Sequence, residues 1–144
     1  MPASRLVALL STFPILAVLA GGSLAGFAAA QLPPLEPQTV SGVTYVTGGV
    51  GQDETQALRQ MEGRFNLRLL FARQSSGEYL ANVQVSIRDR GGRTILDTVA
   101  EGPRLLAQVP PGAYTVVASS DGRAITRQVN VPSGGAVSQA FYWP

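Results

Sequence analysis

The sequence lacks cysteine and histidine, and all 11 of its basic residues are arginine. Without cysteine it can form no disulfide, thiol nucleophile or thiolate zinc site. Without histidine it cannot build a Ser-His-Asp triad or an imidazole metal site, and without lysine it can form no Schiff base or Ser-Lys dyad. Carboxylate chemistry of the glycosidase type needs two acids across a cleft, and the nine acids here are scattered. We therefore predict a protein that is not an enzyme and that holds neither a metal nor a cofactor.

Charge is also scarce, because only 14% of the residues are charged and the formal net charge is +2. Arg5 belongs to an N-terminal segment that we expect to be removed, which leaves the remaining chain nearly neutral. The other arginines form no dense cluster of the kind that contacts phosphates. We predict no nucleic-acid partner.

The first 30 residues have the organisation of an export signal. Arg5 is their only charged residue, an apolar run occupies positions 6–30, and three alanines at 28–30 provide the small residues before a cut after Ala30. The alternative is an uncleaved membrane anchor, because about 20 apolar residues can span a bilayer. Pro14 and the glycine pair at 21–22 loosen such a helix and favour cleavage. We expect a periplasmic or secreted protein that contacts the membrane only if the signal is not cleaved.

Residues 31–39 contain three prolines and predict an extended spacer. A segment at 40–64 follows, with a β-branched strand at 40–47, a glycine loop at 48–51 and one short helix at 53–62. Asp53 is the predicted N-cap of that helix, with Gln56 at capping-box spacing, and Gly63 ends it.

From residue 65 to 144 the apolar residues recur with period two, and turn-like segments separate them. About seven short strands at this spacing indicate a β-sandwich or a small barrel. The hairpin around Gly91-Gly92 has two possible registers. A three-residue turn pairs Ile87 with Ile95, whereas a two-residue turn pairs Ile87 with Leu96. The sequence does not decide between them.

Three stretches resemble the carboxypeptidase regulatory-like domains. Residues 80–89 read Leu-Ala-Asn-Val-Gln-Val-Ser-Ile-Arg-Asp before a glycine turn, residues 101–107 read Glu-Gly-Pro-Arg-Leu-Leu-Ala, and residues 109–116 read Val-Pro-Pro-Gly-Ala-Tyr-Thr-Val. The likeness extends from residue 65 to about residue 131, and its Pro-Pro-Gly-x-Tyr segment is the most specific part.

This resemblance implies a mainly β protein, a seven-stranded transthyretin-like or Ig-like β-sandwich, here with one short N-terminal helix. It implies an accessory role in folding, docking or carbohydrate binding, and it carries no catalytic residues over. The chain also resembles small exported proteobacterial proteins of unassigned role. Residues 40–63 depart from the family pattern, which leaves the partner open.

The loop before the predicted helix is one candidate partner-binding site. Its candidate residues are Gly48, Gly49, Gly51, Asp53 and Glu54. A plain strand-to-helix connection with a cap is the simplest interpretation. An anion cradle is a second, although the loop has no lysine and its acids would repel phosphate. A calcium site is a third, although neighbouring helix positions point apart.

The C-terminal aromatic residues are another candidate. Phe141 and Trp143 share the parity of a last core strand, so Tyr142 points to the opposite face and can contact a sugar ring or a peptide. We therefore predict an exported, non-catalytic binding or accessory module that contacts an envelope protein or a glycan. The alternative is a structural subunit or assembly factor that uses the Pro-rich arm or a sheet edge.

Overall fold

Nine strands and one helix occupy most of residues 35–144, the part of the chain that the computed structural model describes. The predicted export signal and residues 31–34 of the predicted spacer lie outside this range. The strands are β1 Gln38–Val40, β2 Val43–Gly48, β3 Leu67–Arg73, β4 Val83–Arg88, β5 Thr94–Ala100, β6 Arg104–Gln108, β7 Gly112–Ser120, β8 Arg123–Val131 and β9 Val137–Trp143. Helix α1 spans Gly51–Met61 and continues into a 3-10 turn at Glu62–Arg64. Within residues 35–144, no helix combines the length and the apolar character that a membrane span requires.

The strands form two sheets. The first has the order β1-β2-β6-β3-β9, in which only β3 and β9 are parallel, and the second has the antiparallel order β5-β4-β7-β8. The mainly β prediction is confirmed, and the two sheets are consistent with a β-sandwich. The count of seven strands is not confirmed, since the described residues form nine. Seven of these, β3 to β9, follow the helix, and β1 and β2 add two strands to the first sheet.

The single strand predicted at 40–47 is instead a hairpin. Ser41 and Gly42 have φ of 52° and 83°, and Val40 pairs with Val43 across them. Positive φ at both turn positions is the geometry of a type I′ turn, which matches the twist of antiparallel strands. The prediction was wrong here because the β-branched residues on both sides of the turn read as one run. Strand β1 also takes in Gln38 and Thr39, which the sequence assigned to the spacer.

The main core lies between the sheets and is made of the alternating apolar residues of both. At one end Phe71, Phe141 and Trp143 pack together, with ring centroids 5.7–6.3 Å apart. Phe141 and Trp143 are buried, as their parity predicts. The indole N–H of Trp143 donates to the Arg123 carbonyl at 2.9 Å, which links the edge strands β9 and β8 of the two sheets.

A second, smaller core lies on the outer face of the first sheet, under α1. It consists of Val46, Leu106, Leu58 and Phe65. Strand β6 is therefore covered on both faces, and its residues 105–107 are buried in succession. The helix is amphipathic and short, so this packing rather than helix propensity stabilises it.

The helix starts two residues earlier than predicted, and its N-cap is Val50 rather than Asp53. The Glu54 carboxylate accepts a hydrogen bond from the Val50 N–H at 3.0 Å, so the side chain that reaches back to the N-cap is that of Glu54 and not that of Gln56. Asp53 lies exposed in the first turn, where its negative charge complements the helix dipole. Gly63 lies inside the 3-10 turn and is not a left-handed cap.

The β4–β5 hairpin combines both registers that the sequence allows. Next to the turn Arg88 pairs with Thr94, and beyond a bulge Ile87 pairs with Leu96. The bulge moves Asp97 opposite Ser86 on the exposed face, whereas the unshifted register would place it opposite Val85 in the core. One extra residue therefore keeps a charge out of the core.

The Pro-Pro-Gly segment carries the chain from β6 in the first sheet to β7 in the second. Tyr114 is buried at the start of the next strand, and its hydroxyl donates to the Pro110 carbonyl at 2.6 Å. The segment thus connects the two sheets, and the side chain of Tyr114, four residues after Pro110, holds it in place by a hydrogen bond.

Candidate functional site

A cleft of about 760 Å³ lies beside the loop that joins β2 to α1. Its walls come from the residues before β1, the β1–β2 hairpin, the start of α1, strand β5 and the loop after β5. The lining residues are Leu35, Glu36, Gln38, Tyr45, Val46, Thr47, Gly48, Val50, Glu54, Thr98, Val99 and Glu101. The volume lies in the range that is typical of ligand pockets, and the lining combines apolar side chains with polar and charged ones.

Tyr45 forms the junction between the two sheets at this cleft. Its ring belongs to the main core, while its hydroxyl donates to the Gln38 side-chain oxygen at 3.1 Å and lies 3.2 Å from the Thr98 hydroxyl. Close by, the Thr47 hydroxyl accepts from the Glu101 N–H at 3.4 Å. These hydrogen bonds tie β2 of the first sheet to β5 and its following loop, so the cleft has a fixed floor.

The glycine loop is packed tightly rather than open. A Cβ added to Gly102 would overlap the Gly48 carbonyl, and a Cβ on Gly48 would lie 2.9 Å from the Leu35 side chain. Gly49 has φ of 100°, and a Cβ there would meet Pro103 at 3.3 Å. These glycines allow the loop after β5 to approach the end of β2, which gives the cleft its wall.

The predicted loop residues fall into two groups. Gly48 and Glu54 line the cleft, whereas Gly49, Gly51 and Asp53 lie beside it along the chain and are not among its lining residues. The Glu54 carboxylate is held by its bond to the Val50 N–H, so it caps the helix and faces the cleft at once.

Tyr142 lies elsewhere. It is on β9, three strand positions from β2 in the first sheet, which places it about 14 Å or more from Gly48 at the usual strand spacing. Half of its surface is exposed, on the face opposite to Phe141 and Trp143. The parity interpretation of Tyr142 is confirmed, but it does not belong to the same site as the glycine loop.

The cleft is acidic. Within residues 35–144 its charged lining residues are Glu36, Glu54 and Glu101, and no arginine of this range lines it. This arrangement gives no support to the anion cradle, because three carboxylates would repel a phosphate. Among residues 35–144 no group of three or more Asp or Glu residues is placed to hold a metal ion. The chemistry that the cleft offers is hydrogen bonding by hydroxyl and carboxylate groups, beside the apolar side chains of Leu35, Val50 and Val99.

Several cleft residues were not identified from the sequence. They are Leu35, Glu36, Gln38, Tyr45, Val46, Thr47, Val50, Thr98, Val99 and Glu101. The pairing of β1 with β2 and the approach of β2 to β5 bring these residues together. Strands β2 and β5 are distant in the sequence: Tyr45 and Thr98, whose hydroxyls are in contact, are 53 positions apart. The Ser41-Gly42 pair lies between two β-branched runs, and this pattern could have predicted the turn that pairs β1 with β2.

Residues 65–138, just over half of the chain, match the model of the Rhizobiales growth-associated tandem repeat domain. The chain belongs to this family. No curated protein matches it. The growth-associated repeat domain covers the strands from β3 to β8 and the first two residues of β9. Strands β1 and β2 and helix α1 precede it. The cleft therefore lies at the border of the repeat domain, with Thr98, Val99 and Glu101 inside the matched segment and the remaining lining residues before it.

Proposed function

We propose that this protein is an exported, non-catalytic binding module that contacts an envelope protein or a glycan through the cleft beside Gly48 and Glu54. The observation that carries the proposal is the cleft itself. It is concave, its floor is fixed by hydrogen bonds between the two sheets, and exposed apolar side chains of Val50 and Val99 stand at its border.

Export to the periplasm or the exterior is part of the proposal and rests on the signal-like residues 1–30. The family description supports a role in growth. Bacterial growth requires enlargement of the cell envelope, which is where an exported protein would act. The absence of histidine, cysteine and lysine from the sequence supports a non-catalytic role.

We also propose that the fold is of the transthyretin-like type found in carboxypeptidase regulatory-like domains. The two-sheet arrangement and the seven strands from β3 to β9 support this assignment. Strands β1 and β2 and the helix are then additions to that type, and they supply most of the cleft.

The test is a charge reversal at the cleft with a matched control. Glu101→Arg changes a carboxylate that lines the cleft, and Asp97→Arg makes the same change on the exposed face of β5 outside it. Tagged wild type and both variants are incubated with periplasmic extract, and the captured proteins and glycans are compared. We expect Glu101→Arg to lose a partner that Asp97→Arg retains. Identical partner sets for all three would refute the cleft as the contact surface.

The second candidate function is a structural subunit or assembly factor of the cell envelope. It is favoured by membership in a tandem repeat family and by strand β8, a nine-residue sheet edge whose side chains are mostly exposed. An edge of this kind can accept a further strand. Size-exclusion chromatography with light scattering over a wide concentration range tests self-assembly. A monomer throughout would exclude assembly from this chain alone.

A further inference from the structure

Two tyrosines that are far apart in the sequence lie in one row across the outer face of the first sheet. Ala72 of β3 pairs with Tyr142 of β9 on one side and forms an isolated antiparallel bridge with Tyr79 on the other. Directly paired residues share a face of a sheet. Because Phe71 and Trp143 point into the main core, the three residues of this row point outward.

The row has the dimensions of a platform. Tyr79 and Tyr142 are 59% and 50% exposed, whereas Ala72 between them is 2% exposed. Two strand spacings separate the tyrosine backbones, which amounts to about 10 Å. On the next row of the same face Leu70 pairs with Ala140, and both are half-buried. We call these five residues the tyrosine platform.

The backbone holds Tyr79 in place although it lies outside the named strands. The Arg73 N–H donates to the Glu78 carbonyl at 2.8 Å, and the Leu80 N–H donates to the Phe71 carbonyl at 3.1 Å. The side chains of Arg73 and Glu78 add an ion pair at 3.6 Å. Tyr79 is thus fixed from both sides by a short ladder, so the two rings are presented by paired backbone.

The charge of the platform defines its ligand. All five platform residues are uncharged, and Arg104, paired with Leu70, is the one charged residue among the strand partners at its border within residues 35–144. Arg68 lies on the same face two residues before Leu70, and its guanidinium donates to the Glu62 carbonyl at 3.2 Å. A phosphate-rich ligand requires several cationic contacts, whereas Arg104 is the cation that borders the platform. An uncharged ligand with apolar ring faces and a hydroxyl rim matches both the tyrosine rings and their hydroxyl groups.

We propose that the tyrosine platform binds an uncharged, β-linked pyranose polymer, with one sugar ring on Tyr79 and another on Tyr142. Because Ala72 is small, no bulky side chain of the central strand stands between the two rings in this row, and a linear chain of sugars can reach from one ring to the other. A proline-rich peptide is the competing ligand, since such peptides also use exposed aromatics. It needs grooves between closely packed rings, whereas here Ala72 separates the tyrosines by a full strand. This site is separate from the cleft and does not depend on the function proposed for it.

Isothermal titration of the purified protein with cellohexaose and chitohexaose tests the proposal. We expect at least one hexaose to bind, and we expect Tyr79→Ala and Tyr142→Ala each to raise its Kd by about tenfold, the loss typical of truncating a central aromatic contact. The ring-retaining variants Tyr79→Phe and Tyr142→Phe should stay within about threefold of wild type, because they keep the stacking surface. Val40→Ala, an exposed apolar residue beside the β1–β2 turn that belongs to neither the platform nor the cleft, is the matched control and should bind as wild type does.

Both tyrosines are exposed, so thermal unfolding of every variant should match that of wild type, and a variant with a lower Tm is replaced by its serine counterpart. Absence of binding to both hexaoses would overturn the proposal. Equal binding by the double Tyr79→Ala/Tyr142→Ala variant would overturn it too. Preferential binding of a proline-rich decapeptide that displaces the bound hexaose would identify the face as a peptide site and would likewise contradict it.

Discussion

The side chain of Asn66 makes two hydrogen bonds to the backbone of Val109, 43 positions later in the chain. Its amide N–H donates to the Val109 carbonyl at 2.6 Å, and its amide oxygen accepts from the Val109 N–H at 3.0 Å. The Asn66 backbone also bonds Ala107 and Val137. One residue therefore ties together the entry to β3, the end of β6 and the start of β9.

Asn66→Ala should lower the free energy of unfolding by about 1–3 kcal/mol, because it leaves both polar groups of the buried Val109 without a partner. Urea unfolding followed by tryptophan fluorescence measures the change through Trp143. Asn130→Ala, an exposed asparagine on β8, is the control and should change the free energy by no more than about 0.5 kcal/mol. Equal effects of the two changes would show that the Asn66 bonds contribute nothing to stability.

Much of the sandwich followed from period two and from turn residues. Strand β4 alternates buried and exposed residues, and the Asp121-Gly122 turn joins paired strands as its composition predicts. Strand β6 breaks the pattern because α1 covers its outer face, so burial on both sides leaves no alternation to read.

The sites were harder to predict, because they depend on contacts between distant segments. Gly48 and Glu54 were identified as candidates from a local motif, but Tyr45, Thr98 and Glu101 join them only once β2 approaches β5. The start of α1 was wrong for a similar reason. Local residue preferences favour Asp53 as the N-cap. In the structure the N-cap is Val50, whose N–H donates to the Glu54 carboxylate.

Gly102→Ala should lower the free energy of unfolding by about 1–3 kcal/mol, the usual cost of forcing an extra carbon into a packed site. The added Cβ would overlap the backbone of Gly48 and push the loop after β5 away from β2. Thermal unfolding measures the loss. Gly134→Ala is the matched control, because an added Cβ meets nothing within 4 Å at that position and the change should be close to neutral. A Gly102→Ala variant as stable as wild type would contradict the close packing that shapes the cleft.

Leu58→Ala should weaken the attachment of α1 by about 2–5 kcal/mol, because Leu58 is the buried residue of the helix and fills the small outer core. Hydrogen exchange should speed up first in residues 51–64 and less in β4 and β7, which do not contact this core. Gln60→Ala on the exposed side of the helix is the control. Uniform acceleration across both sheets would indicate that the helix and the sandwich unfold as one unit.

The pKa of the Tyr114 hydroxyl is raised above 10.0, first because the group is buried and second because Asp89 adds a negative charge nearby. A raised pKa means that the folded state holds this proton more tightly than the unfolded state does. The associated stability is present below about pH 10 and is lost as the pH rises through the folded pKa.

Tyr114→Phe should therefore flatten the fall in unfolding free energy above pH 10. At neutral pH it should cost about 1 kcal/mol, because the hydrogen bond to the Pro110 carbonyl is lost. Urea unfolding between pH 8 and 11.5 measures both effects. Parallel pH profiles for the variant and wild type would contradict the assignment of the alkaline change to Tyr114.

The most direct test of the central claim, binding through the cleft, is photo-crosslinking in living cells. A photoreactive phenylalanine analogue replaces Val50, which is 59% exposed and lines the cleft, and in a second strain it replaces Gln128, exposed on β8. The account predicts a defined crosslinked product from position 50 that disappears when Glu101→Arg is added, and no such product from position 128. The same products from both positions, or a product at 50 that survives Glu101→Arg, would contradict it.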